Sequence, residues 1–116
     1  MQAVGNMKKK GSTMKLKQII ILSAALMLAG NAAANETLFK KGNCSACHNA
    51  NKKVVGPALK DIAAKYAGDA TAQARLVAKV RSGGKGVWGG VSMPPAPKKV
   101  SDDELNTLVS WILSMK

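Results

Sequence analysis

Cys44-Ser45-Ala46-Cys47-His48 constrains this chain more than any other segment, because it gathers both cysteines and the single histidine of 116 residues into five consecutive positions. A C-x-x-C-H run is the attachment sequence for c-type haem. The spacing has a chemical reason. Two thiols three residues apart can each add across one haem vinyl group, while the adjacent imidazole swings beneath the ring to the iron. One short loop then tethers and coordinates the cofactor together.

Other uses of a C-x-x-C pair are a redox dithiol, a zinc knuckle or a disulfide. A thioredoxin-like dithiol belongs in a βαβ setting, and no strand-like run of alternating apolar residues precedes Cys44. Zinc normally takes four protein ligands. Cys44, Cys47 and His48 supply three, and the chain has no further Cys or His. A disulfide loop or an incomplete metal site is what remains beside haem.

The segment ahead of the motif looks like an export signal. Lysines 8, 9, 10, 15 and 17 precede an apolar run from Ile19 to Ala29, and Ala32-Ala33-Ala34 follows as a small-residue cleavage site. The pattern predicts a signal peptide over residues 1–34, cut between Ala34 and Asn35. Met1, Met7 and Met14 are candidate starts, and the stretch before Met14 reads as a misassigned extension. The alternative is an uncleaved anchor, but a span needs about 20 apolar residues, and this run stops at Gly30-Asn31. No cysteine lies at the cleavage site, so no lipid is expected there.

Cleavage leaves residues 35–116, one domain of 82 residues, close to the length where a single core becomes marginal. A large apolar ring bonded to the chain would serve as both core and staple, so apoprotein is expected to fold poorly. The full chain has a net charge of +12, of which +7 belongs to residues 35–116. No recognised nucleic-acid motif accompanies that charge, and aromatics are only 3%. Acidic protein partners or an anionic surface fit it better than nucleic acid.

The mature segment reads as helix throughout, interrupted by loops. Asn35 to Lys41 predicts a short helix stopped by Gly42. Pro57 opens a second, with Leu59, Ile62, Ala63 and Tyr66 on one stripe and Gly68 as its end. Asp69 or Thr71 caps a third carrying Leu76, Val77 and Val80, which stops at Ser82-Gly83-Gly84. Gly83 to Val100 is Gly-, Pro- and Lys-rich and reads as a long loop, a kind that is usually functional or disordered. Ser101 with Glu104 makes a capping box for a final helix bearing Leu105, Leu108, Val109, Ile112 and Leu113.

The residue facing His48 across the iron would separate a carrier from a ligand-binding or catalytic haem. Beyond the signal the only methionines are Met93 and Met115. Met93 lies in the long loop 45 residues after His48, stiffened by Pro94 and Pro95. Met115 falls in the last turn of the terminal helix as a packing or frayed-end residue. Met93 is therefore the expected sixth ligand.

Several segments in order carry a wider resemblance: Leu38-Phe39-Lys40, Cys44 to His48, Val54-Val55-Gly56-Pro57-Ala58, Lys60 to Ala67, Gly86-Val87-Trp88-Gly89, Met93-Pro94-Pro95, and Val100 to Glu104 with Trp111. Together they resemble the short bacterial class I cytochromes c, the periplasmic monohaem electron carriers of nitrite-reducing and ammonia-oxidising bacteria. The resemblance implies an all-α fold of about four helices wrapped around one haem c attached through Cys44 and Cys47. It implies His48 and Met93 as axial ligands, with the Pro57 carbonyl accepting the Nδ1 proton of His48. Trp88 would donate its indole N–H to a haem propionate, and Lys79 aligns with a basic residue that faces one. Phe39 and Trp111 would pack the terminal helices. Relatives commonly have asparagine after Met-Pro-Pro, placed to bond the ligand sulfur; here Ala96 stands there, followed by Pro97-Lys98-Lys99.

The function these features imply is a periplasmic, monomeric one-electron carrier, not an enzyme, without nucleic-acid partners or a permanent membrane anchor. Lysines 40, 41, 52, 53, 85, 98 and 99 would steer acidic redox partners to the haem edge. The alternative is a small haem peroxidase or gas-binding protein with an open sixth site, which the absence of a distal histidine disfavours. A module docked permanently in a respiratory complex is a third reading.

Overall fold

In the computed structural model, which describes residues 32–116, the first helix, α1, covers residues 32–41. It begins ahead of the expected Asn35 and so runs across the predicted cleavage point. The rest of the predicted signal peptide lies outside the described residues. Gly42 and Asn43 end α1, their N–H groups donating to Leu38 O and Lys40 O at 3.0 Å each. Asn43, not Gly42, takes the left-handed conformation, with φ 59°, a position asparagine tolerates better than most residues. Gly42 is small for another reason: a Cβ there would stand 3.0 Å from the Cys44 sulfur.

Helix α2 (Leu59–Lys65) starts two residues later than the proline suggested. Pro57 lies outside it, and the first turn is closed from outside by the preceding loop: Leu59 N–H donates to Asn49 O at 2.9 Å and Lys60 N–H to Ala50 O at 3.1 Å. These bonds satisfy helix donors that lack an intrahelical partner, and they leave the Pro57 carbonyl free. Gly68 (φ 77°) turns the chain. The Asp69 carboxylate then accepts the backbone N–H and the hydroxyl of Thr71 at 2.9 and 2.7 Å, leading into α3 (Ala72–Ser82).

The expected long loop contains regular structure. β1 (Gly84–Gly86) and β2 (Gly89–Met93) pair antiparallel, with Gly84 opposite Met93 and Gly86 opposite Gly89, around a turn at Val87-Trp88. Four of the eight strand residues are glycine, so neither the composition nor the alternation of a strand is present. The fold is four helices and one small ribbon among the described residues.

Helix α4 (Asp102–Leu113) opens with the capping box: Glu104 N–H donates to the Ser101 hydroxyl at 3.1 Å, and Ser101 N–H to the Glu104 carboxylate at 2.8 Å. Its apolar stripe supplies Leu105, Leu108 and Val109 to the core, where α2 and α3 both pack against it. Val100, Leu105 and Leu108 form the central cluster, with Leu38, Phe39 and Trp111 against it. Phe39 meets Trp111 edge-on, centroids 6.0 Å apart, so the terminal helices pack as expected. The Lys41 ammonium reaches Glu104 at 2.7 Å and ties α1 to the start of α4. Met115 lies just past the end of α4 and is half-buried. No described helix is long and apolar enough to cross a membrane.

Candidate functional site

The cysteine motif forms a single 3-10 turn over Cys44–Ala46, in which His48 N–H donates to Cys44 O at 2.9 Å. This turn brings both thiols and the imidazole to one side of the loop as a consequence of the three-residue spacing. The segment after it folds back rather than running on. Asn49 Oδ1 accepts the N–H of Asn51 at 2.9 Å, turning the chain, and Gly56 N–H then donates to Cys47 O at 2.8 Å. The return stroke places Pro57 O 2.8 Å from His48 Nδ1. A carbonyl can only accept, so this bond requires the proton on Nδ1 and leaves Nε2 with its lone pair available to a metal.

Gly56 makes that arrangement possible. A Cβ on it would lie 2.5 Å from His48 Cε1 and 2.9 Å from Nδ1, distances no side chain could occupy. The imidazole is therefore held against bare backbone by one hydrogen bond and one close approach. Both cysteines are of intermediate exposure and are not joined to each other in a disulfide. Burial pushes the Cys44 thiol up from its ordinary pKa.

Met93 ends β2 and reaches the same place from the other side of the sequence. Gly83, with φ 69°, ends α3 so that its α-carbon abuts the Met93-Pro94-Pro95 backbone: a Cβ there would fall 2.5 Å from Met93 O and 2.7 Å from Pro95 N. Ala96 N–H donates to Val80 O at 2.9 Å. The methionine segment is thus seated on the last turn of α3. Gly83 was visible in the sequence only as a helix stop, and Gly56 only as the residue before a proline.

Cys44, Cys47, His48 and Met93 line one cleft of about 280 Å³, walled by Leu59, Ile62, Leu76, Val80, Leu108 and Ile112. Pro57, Lys79 and Trp88 line it too. All seven residues expected at the site therefore converge on it. Trp88 is 44% exposed, an unusual place for a tryptophan that served only the core. The Lys65 ammonium sits 5.5 Å from the centre of its ring. Lys79 Nζ approaches Lys85 O at 3.4 Å, over Gly84. Val55, Val87 and Val91 edge the cleft and are at least half exposed.

The donor set fits a c-type haem: two thiols for the vinyl groups, an imidazole with the correct nitrogen free, a thioether, and aliphatic walls for a flat apolar ring. Zinc is poorly matched, since no cluster of three or more Cys, His, Asp or Glu able to hold a metal occurs among the described residues. Of the lysines expected to steer partners, Lys53 and Lys85 line the cleft. Lys41 is engaged with Glu104 and is not free for a partner.

Residues 32–116 match the cytochrome c family. The chain is 49% identical to cytochrome c-551 of Pseudomonas aeruginosa over 98 residues, covering 83% of this chain and 92% of that protein. It is 51% identical to cytochrome c-552 of Nitrosomonas europaea over 94 residues, 81% of this chain and 90% of that one. The crystal structure of the Nitrosomonas europaea cytochrome c552 superposes with a TM-score of 0.66 at 52% identity, covering 70% of this chain and 99% of that one. The class 1 cytochrome MtoD of Sideroxydans lithotrophicus superposes at 0.63 with 36% identity, covering 72% and 94%. Motif, fold and kinship agree, and the chain belongs to the small bacterial class I cytochromes c of the c-551/c-552 group, a one-electron carrier and not an enzyme, with one haem c held covalently by its paired cysteines.

Proposed function

We propose that this cytochrome is an exported periplasmic shuttle whose haem iron would be ligated by His48 and Met93. The observation that carries the reading is the convergence of both side chains and both thiols on one apolar cleft, with His48 Nδ1 already committed to Pro57 O. The bound haem supplies the ferric/ferrous couple. The imidazole, oriented and made more basic by the carbonyl, would be the first ligand. The neutral thioether of Met93 would be the second, and a His/Met pair raises the potential and favours the reduced state. Trp88 and Lys79, on the cleft wall, would hold the propionates through an indole N–H and an ammonium group, offsetting the cost of placing carboxylates against protein.

Export is supported by the basic, apolar and small-residue pattern of residues 1–34. Partners would be acidic redox proteins meeting a monomer at the cleft edge. Lys53 and Lys85 stand at that edge, and Lys40, Lys52, Lys98 and Lys99 are exposed elsewhere. Association steered by these charges should slow as ionic strength rises.

The test is the visible spectrum of the matured protein, recorded oxidised, reduced, and reduced under carbon monoxide. A far-red sulfur-to-iron band in the ferric state with no carbon monoxide shift is the expected result. A missing band with ready carbon monoxide binding would mean an open iron and would overturn the ligand assignment.

A further inference from the structure

The methionine segment has one backbone donor with which to anchor itself. Pro94, Pro95 and Pro97 have no N–H, so between Met93 and Lys98 only Ala96 offers a backbone donor, and that one is spent on Val80 O at 2.9 Å. Besides the Val100 N–H, which donates to Pro97 O at 3.0 Å, whatever holds the segment down must come to its carbonyls from outside. One side chain does. Arg81, in the last turn of α3, donates from Nη2 to Val100 O at 2.6 Å and from Nη1 to Pro97 O at 3.4 Å. The same guanidinium meets Asp102 Oδ1 through Nε at 3.0 Å and Nη2 at 2.9 Å. Its three contacts span residues 97–102, from the proline that closes the methionine loop to the first residue of α4.

We propose that Arg81 is a positioning residue for Met93, a clamp that keeps the thioether-bearing loop closed against α3 and so sets how readily the sixth ligand leaves. A guanidinium suits the task because its planar fork can serve two carbonyls and a carboxylate at once, which an ammonium cannot do in fixed geometry. Arg81 is about one-third exposed while Asp102 is 80% exposed, so the carbonyl bonds do more of the holding than the ion pair, which is screened. The inference rests on Met93 being the sixth ligand.

Opening of a ligand loop is read by a competitor that binds only the open form, since its apparent affinity scales with the open fraction. Exogenous imidazole is titrated into the ferric holoprotein of the parent, Arg81→Gln, Arg81→Lys and Asp102→Asn, with thermal unfolding followed in parallel. Losing the fork in Arg81→Gln should tighten apparent imidazole binding about tenfold or more, the weight of one charge-assisted hydrogen bond. Arg81→Lys should give a smaller effect and Asp102→Asn the smallest. If Arg81→Gln does not mature, the other two must still rank above the parent. Lowered unfolding temperatures with unchanged imidazole affinity would overturn the clamp and leave Arg81 a purely structural residue. A parent with no sulfur-to-iron band would instead overturn the Met93 assignment, and the clamp's role with it.

Discussion

A single methyl group at position 56 would displace the imidazole. Gly56→Ala puts carbon 2.5 Å from His48 Cε1, so either the ring tilts or the Cys47–Gly56 backbone bond at 2.8 Å breaks. The variant should mature poorly and show a broadened ferric spectrum, with midpoint stability lowered by about 1–3 kcal/mol in guanidinium titration. A normal spectrum at normal yield would mean that the loop relaxes freely. The histidine itself was readable from the pentapeptide alone, because chemistry fixes its spacing to the thiols. The demand on Gly56 was not, because it comes from where the loop returns eight residues after His48. Ala96 offers a second test at this scale. It is half-buried, with its N–H engaged by Val80, and lines a cavity beside Met93. Ala96→Asn should restore a donor toward the sulfur and narrow the Met93 methyl resonance in proton NMR; an unchanged resonance and unchanged potential would show that the amide does not reach it.

At the scale of elements, α4 depends on one reciprocal cap. Ser101→Ala removes the hydroxyl acceptor for Glu104 N–H and should cost about 1 kcal/mol by chemical denaturation. Glu104 does double service, and the Lys41 ammonium first, then the Ser101 N–H, holds its carboxyl below the usual glutamate range. A carboxyl lowered in the folded state contributes stability that is fully present above its unfolded pKa and is lost as pH falls through the folded one. Acid titration of the parent should therefore reveal a loss that Glu104→Gln lacks, and coincident curves would remove Glu104 from acid unfolding. This helix was evident from its sequence because cap, acidic first turn and apolar stripe all agree. The β ribbon was not, since strands of Gly84–Gly86 and Gly89–Met93 carry no side-chain signature and are fixed by pairing across the Val87-Trp88 turn. Pro57 misled for a related reason: its place was decided by the His48 bond and by loop carbonyls closing α2, neither of which is a local property.

For the molecule as a whole, the side chains alone make a thin core. Among the described residues eight apolar ones are fully buried, and three of these are alanine. The largest are Leu59, Leu105, Leu108 and Val100, a small supply for a domain of this length. Ile62, Leu76, Val80 and Ile112, outside those eight, face the cleft, which takes walls from α2, α3 and α4 as well as from the cysteine loop and the ribbon. Helices α2, α3 and α4 therefore share the wall of the haem site as well as packing on one another; the thioether bonds persist in the unfolded chain, so what the haem would add to folding is the apolar contact and iron ligation made only in the native state. A Cys44→Ala/Cys47→Ala variant, unable to retain haem covalently, should lose most of its far-ultraviolet helical signal and melt without a cooperative transition. The holoprotein should unfold in one step. A variant that kept native helicity and a sharp guanidinium transition would show that the eight-residue core suffices, and would make haem a passenger in this fold instead of its centre.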